Sequence, residues 1–113
     1  MVWLGLYGGC SPLSDNGYPF SPIANTTIGG VVFDLAYGHN GAVKVYSFVA
    51  RNHAATNFKG DLMSFYNYLI TFASSKANGF TSALVLQGVQ AGSEVFTGQN
   101  AVLTTTGYTI SST

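Results

Sequence analysis

Between Ala42 and Arg51, Val43, Val45, Ser47 and Val49 alternate with Lys44, Tyr46, Phe48 and Ala50. Successive side chains of a strand point to opposite faces, so both faces of this run are largely apolar and both have to be covered. Its Val, Tyr and Phe content suits a pleated surface, and the run is expected to be a central strand of its sheet. Gly38-His39-Asn40-Gly41 reads as the turn before it, and Asn52 to Asn57 as a polar connection after it.

Other segments repeat the two-residue period. Met1-Val2-Trp3-Leu4-Gly5-Leu6-Tyr7 starts apolar without a preceding turn and breaks at Gly8-Gly9. With no basic n-region and so short an apolar run, it reads as a strand and not as a signal peptide. Met1 and Trp3 then share one face, and Val2 and Leu4 the other. Gly8 to Pro22 is a loop, punctuated by Ser11-Pro12, Asp15-Asn16-Gly17 and Pro19. Ile23 to Ile28 resumes a strand, Gly29-Gly30 makes a two-residue hairpin turn, and Val31 to Tyr37 returns antiparallel.

The period then changes. Leu62, Phe65, Leu69 and Phe72 fall at helical spacing, and Asp61 stands where a first-turn acid complements the helix dipole. An amphipathic helix is expected from Lys59 to about Ser74, with Tyr66 and Tyr68 widening an apolar face packed on the sheet, and with Asn78-Gly79 ending the helical region. Leu84 to Gly98 and the Thr-rich Ala101 to Ile110 read as two more strands. One helix among six or seven short strands predicts an all-β antiparallel sandwich, and 113 residues hold at most one domain.

Charge narrows the function. Only 7% of residues are charged, four of each sign, so no basic stripe exists to neutralise phosphates and nucleic acid is not expected as a partner. No apolar run approaches the about 20 residues that cross a bilayer, so no membrane partner is expected either. Cys10 has no second cysteine to pair with, and Cys10, His39 and His53 do not assemble a metal site, so neither metal nor cofactor is expected. Asn25-Thr26-Thr27 matches a glycosylation sequon, which matters only in a secreted chain. Gly, Ser, Thr, Asn and Tyr fill the polar positions, a habit that suits an extracellular β-protein.

Glu94 is the only glutamate. In an apolar, β-rich segment it is either a proton donor or a solvated rim residue, because an unpaired buried carboxylate is costly.

Four blocks in order, Met1-Val2-Trp3-Leu4-Gly5, Asn40-Gly41 with Val45-Tyr46-Ser47-Phe48-Val49-Ala50, Asp61-Leu62 with Phe65-Tyr66-Asn67-Tyr68-Leu69, and Gly92-Ser93-Glu94-Val95-Phe96-Thr97-Gly98, resemble glycoside hydrolase family 12. Ile23-Ala24 and Thr27-Ile28-Gly29-Gly30 fit its fungal branch. The resemblance covers nearly the whole chain and corresponds to the C-terminal part of the family domain. It departs at the longer Asp15 to Ser21 loop and at Val95, where the family has Pro.

The resemblance implies a concanavalin-like β-jelly roll with one packed helix, represented over residues 1–113 by its C-terminal part. It also implies a secreted enzyme that cleaves β-1,4-glucan, cellulose or xyloglucan, internally with retention. Glu94 takes the place of the acid/base. The nucleophilic glutamate of the family would precede Met1 by two residues, so the chain alone is expected to be inactive. Asp15, Asp34 and Asp61 are not aimed at Glu94 by any pattern.

If the nucleophile faced the groove, Met1 and Trp3 do too, with Trp3 either stacking on a glucosyl ring or serving as a core aromatic. Alternation adds Gln90 and Phe96 to the face of Glu94. The alternative function is a non-catalytic remnant that binds glucan or occupies an inhibitor. Sheet edges left unpaired would favour self-association, a completing partner or poor solubility.

Overall fold

A computed structural model describes residues 1–112; Thr113, the last residue of the expected domain, lies outside the described residues. The chain divides into two units, Met1–Ala83 and Leu84–Thr113.

In the first unit, glycines in left-handed backbone set the sheet. Gly29 and Gly30, at φ 58° and 77°, join β2 (Ala24–Ile28) to β3 (Val31–Asn40) as a two-residue turn with both central residues at positive φ, the twist that matches a hairpin. Gly29 is constrained twice, since a Cβ there would come within 2.6 Å of the Lys59 carbonyl oxygen and 2.8 Å of Phe58 Cε2. Gly30→Ala, with nothing near its Cβ, is expected to cost about 1–3 kcal/mol of backbone strain, and Gly29→Ala more than that, because the clash with Lys59 and Phe58 adds to the same strain. Urea midpoints of the two variants check this.

The second hairpin corrects the expected turn. β3 runs on through Gly38-His39-Asn40, and the turn is Gly41-Ala42, two residues later, before β4 (Val43–Ala50). Gly41, at φ 60°, stands first in the two-residue loop, the position glycine takes in a type II′ turn. Gly38 has another reason to lack a side chain: its Cβ would meet Ser14 N at 2.6 Å and Leu13 O at 2.7 Å, where the Gly8 to Pro22 loop crosses β3. Asp15 N donates to the Tyr37 carbonyl there at 2.9 Å.

β1 is only Val2–Trp3, shorter than the expected Met1 to Tyr7 strand, and pairs parallel with β4; a single bridge, Gly5 to Ala54, continues beyond it. The order β1-β4-β3-β2 leaves β4 flanked on both sides, as its two apolar faces require. Because β1 runs parallel, the sheet is mixed and not wholly antiparallel.

One sheet face carries Phe33 and Leu35 of β3 and Tyr46, Phe48 and Ala50 of β4, which with Ile28, Phe65 and Leu69 form the core. Val2 and Leu4 pack against the same core, which puts Met1 and Trp3 on the other face, as alternation predicts. Phe65 stands at the centre, edge-on to Phe33 (5.0 Å, 83°) and Phe48 (5.0 Å, 66°). Asn78 Nδ2 donates to the Tyr46 hydroxyl at 3.1 Å, and burial outweighs that bond in pushing the Tyr46 phenol pKa up.

The single helix expected over Lys59 to Ser74 is two shorter ones, α1 (Met63–Thr71) and α2 (Ala73–Ala77). Asp61 precedes α1 instead of lying in its first turn, and its Oδ1 accepts the Met63 N–H at 2.9 Å. Phe72 turns extended (ψ 122°) and packs on the core, leaving carbonyls at the end of α1 without helical partners. The buried Ser75 hydroxyl faces the carbonyls of Leu69 and Phe72 and offers a donor to Leu69, while the Phe72 carbonyl also accepts from Lys76 N at 3.0 Å. Gly79 at φ 89° ends α2, with Phe80 N bonded to the Ser75 carbonyl.

The second unit corrects the sequence reading most. Neither Leu84 to Gly98 nor Ala101 to Ile110 forms a strand; among the described residues the unit holds only bends and irregular chain. Alternation marks a face that could be buried, but a strand also needs a neighbour to take its N–H and C=O groups, and none is paired to these segments among the described residues. Instead of the expected six or seven strands, the described residues form four.

Candidate functional site

The sheet face opposite α1 is the one on which a groove was expected. Strand register builds a transverse row across it, from Trp3 to Val49 to Asp34 to Asn25. With strands about 4.8 Å apart, the row spans roughly 14 Å between its end residues. Trp3 is half-buried at one end beside fully buried Val49, and Asn25 is exposed at the other. Beside the row, Ser47 and Ala36 face each other in register, both fully buried.

Asp34 is not a free carboxylate. Arg51 Nη2 donates to Asp34 Oδ1 at 2.6 Å, and Arg51 Nε approaches the two carboxylate oxygens at 3.1 and 3.2 Å. These bonds, then the charge of Asp34, raise the Arg51 pKa. Arg51 also lines an open depression of about 300 Å³ with Gly30, Val31, Val32 and Asn52, a lining that includes none of the expected site residues.

The remaining aspartates are also engaged. Asp15 Oδ2 lies 2.7 Å from His39 Nδ1, and His39 Nε2 lies 3.3 Å from the Tyr37 hydroxyl, so the pair ties the loop to β3. Asp61 caps α1, as described. Among the described residues, no cluster of three or more His, Cys, Asp or Glu is placed to hold a metal ion.

Of the expected site residues, Met1 (exposed) and Trp3 belong to the first unit, and Gln90, Glu94 and Phe96, all exposed, belong to the second. Because residues 84–98 form no strand, the alternation that put Gln90 and Phe96 on the face of Glu94 does not apply to this structure. Glu94 itself lies in irregular chain rather than in a buried strand. The sequence reading missed the Asp34–Arg51 pair. Its signal was available, since placing the hairpin turn at Gly41-Ala42 pairs Arg51 across from Val32, diagonal to Asp34 on the same face.

Comparison with known proteins assigns the family. The profile of glycosyl hydrolase family 12 matches residues 1–112. The chain is 45% identical over 111 residues to a protein of Aspergillus fumigatus named probable xyloglucan-specific endo-beta-1,4-glucanase A, which covers 98% of this chain. It is 43% identical, again over 98% of its length, to xyloglucan-specific endo-beta-1,4-glucanase A of Emericella nidulans. It is also 43% identical over 108 residues, 96% of its length, to a Phytophthora nicotianae protein named inactive glycoside hydrolase XLP1.

The chain belongs to glycosyl hydrolase family 12 and represents the C-terminal part of it, as the four sequence blocks indicate. It spans 43% of the length of the two glucanase relatives and 42% of the Phytophthora protein. A four-stranded sheet with two short helices is consistent with a β-rich fragment of that family. No helix among the described residues is long and apolar enough to cross a membrane.

Proposed function

We propose that residues 1–113 are the C-terminal part of a secreted, jelly-roll endo-β-1,4-glucanase acting on xyloglucan or a related β-glucan, and that Glu94 is its acid/base. The observation that carries this is the family match over residues 1–112, which includes the only glutamate of the chain within Gly92-Ser93-Glu94-Val95-Phe96. The two glucanase relatives favour xyloglucan as substrate.

In a retaining mechanism the protonated acid delivers its proton to the leaving glycosidic oxygen while a second carboxylate attacks the anomeric carbon. The acid, now a carboxylate, then takes a proton from the water that hydrolyses the glycosyl-enzyme. Trp3 and Met1 of the first unit are proposed to offer apolar surface to a sugar ring, and Gln90 and Phe96 of the second to contact substrate.

The two carboxyl groups of such a site stand about 5–5.5 Å apart. Asp15, Asp34 and Asp61 already serve His39, Arg51 and the start of α1, which supports the reading that this chain holds no replacement nucleophile. Purified chain is therefore expected to release no reducing sugar from xyloglucan or mixed-linkage β-glucan. Release that disappears in Glu94→Gln would show that a substitute carboxylate exists and would sink this part of the proposal.

The relative named as an inactive glycoside hydrolase favours a second reading, a non-catalytic protein that retains glucan binding or occupies an inhibitor. Retention of folded, inactive chain on immobilised xyloglucan, lost in Trp3→Ala, is its expected sign. Association through exposed sheet edges would appear in the same preparation as concentration-dependent sedimentation.

A further inference from the structure

β2 is the outermost strand of its sheet, paired with β3 on one side and with no strand on the other among the described residues. Its five residues alternate in burial, so Ala24 and Thr26 are half-buried, Ile28 is buried, and Asn25 and Thr27 are exposed together on the face opposite α1. Asn25-Thr26-Thr27 satisfies the N-x-Ser/Thr rule with a residue other than proline in the middle. Both residues that the rule needs thus project from an edge strand, on the side where neither the helices nor a neighbouring strand confines them. A sequon facing the other way would put its Asn among Ile28, Phe33 and Leu35, where no glycan fits.

We infer that Asn25 is an acceptor for an N-linked glycan. The inference rests on the secreted reading above. In the transfer, Asn25 Nδ2 attacks C1 of the oligosaccharide carried on a lipid pyrophosphate. The Nδ2–C1 bond forms, the C1–O bond to phosphate breaks, the lipid pyrophosphate leaves with the electron pair, and the amide gives up one proton to base. In the folded chain the glycan stands at the Asn25 end of the row that begins at Trp3, three strands away. A bulky, hydrated group there shields the free edge of β2 from pairing with another strand, the hazard that exposed edges carry.

The test is translation of the whole chain behind a cleavable secretory leader in the presence of microsomes, scoring only protease-protected product. The leader supplies entry, so failure of this chain's own secretion and failure of Asn25 as an acceptor are read separately. The expected result is one shift in mobility removed by endoglycosidase H, absent in Asn25→Gln and Thr27→Ala, and kept in Thr27→Ser. Protected chain without the shift, or a shift that persists in Asn25→Gln, would overturn the assignment. Because transfer takes place as the chain enters the lumen, variants that fold poorly still report. A second readout addresses the folded state: limited proteolysis of the glycosylated product is expected to leave the residue 24–50 hairpins as intact as in unmodified chain, and their loss on glycosylation would contradict the exposed placement of Asn25.

Discussion

Phe65→Ala is expected to abolish the cooperative unfolding transition of the first unit. Phe65 is 4% exposed, and its ring meets Phe33 and Phe48 at 5.0 Å each and Phe58 at 6.3 Å. Removing a buried phenyl ring costs about 3–5 kcal/mol in transfer and cavity energy, and each lost edge-on aromatic pair adds about 0.5–1.5 kcal/mol. Domains as a class have only about 5–15 kcal/mol of stability, and small units lie near the bottom of that range because they bury less of their surface. The loss is therefore comparable to everything the unit has. Phe65→Leu, which keeps most of the volume, should retain a transition at lower urea. Leu62→Ala, at a position 41% exposed, should shift it by no more than about 0.5 kcal/mol. Near-ultraviolet circular dichroism and urea titration separate the three, and a Phe65→Ala protein that unfolds like the parent would show that α1 is not what closes this core.

That ranking also shows what the sequence made legible. The central position of β4 followed from its own two apolar faces, and Phe65 and Leu69 were recognisable as the buried stripe of a helix because spacing alone puts them on one side. The break at Phe72 was not legible, since Phe72 satisfies helical spacing as well as Leu69 does. What the spacing does not carry is how the break is accommodated: Phe72 packs on the core in extended backbone, and the Ser75 hydroxyl lies against the carbonyls of Leu69 and Phe72.

The hairpin turn was misplaced for a related reason. Asn40-Gly41 is a strong turn signal, and the stretch from Gly38 looked equally turn-like. Gly38 is glycine because the Leu13-Ser14 backbone passes against it, a demand from distant chain that no local rule contains. Moving the turn by two residues also hid the partnership of Asp34 with Arg51, so an error in register became an error about charge. For the candidate site the divide is sharper. Residue types at Trp3 and Glu94 could be read from the chain, but the strands expected around Glu94 depend on neighbours for their backbone, and periodicity carries no information about whether those neighbours are present.

Supplying a second carboxylate upstream of Met1 is the experiment with the largest expected change in activity. A chimera in which the N-terminal part of the Aspergillus fumigatus relative precedes Met1 is expected to hydrolyse xyloglucan, because it would join a second carboxylate to the acid/base proposed at Glu94. In that chimera Glu94→Gln should lower kcat by about 10²- to 10⁴-fold, the usual contribution of a positioned general acid. Glutamine keeps the size of the side chain but cannot release a proton to the departing oxygen, so the defect should depend on how much that oxygen needs one. With an aryl glycoside whose phenolate leaves unassisted, formation of the glycosyl-enzyme should be nearly unimpaired. Its hydrolysis, for which Glu94 is the proposed base, should remain slow and produce a burst of phenolate. Equal losses on both substrates with no burst would mean that Glu94 supports the groove without transferring protons. An active chimera indifferent to Glu94→Gln would move the acid to another residue. Asp34→Asn in the same background discriminates further: with its carboxylate held by Arg51, it should alter stability while leaving the leaving-group dependence unchanged.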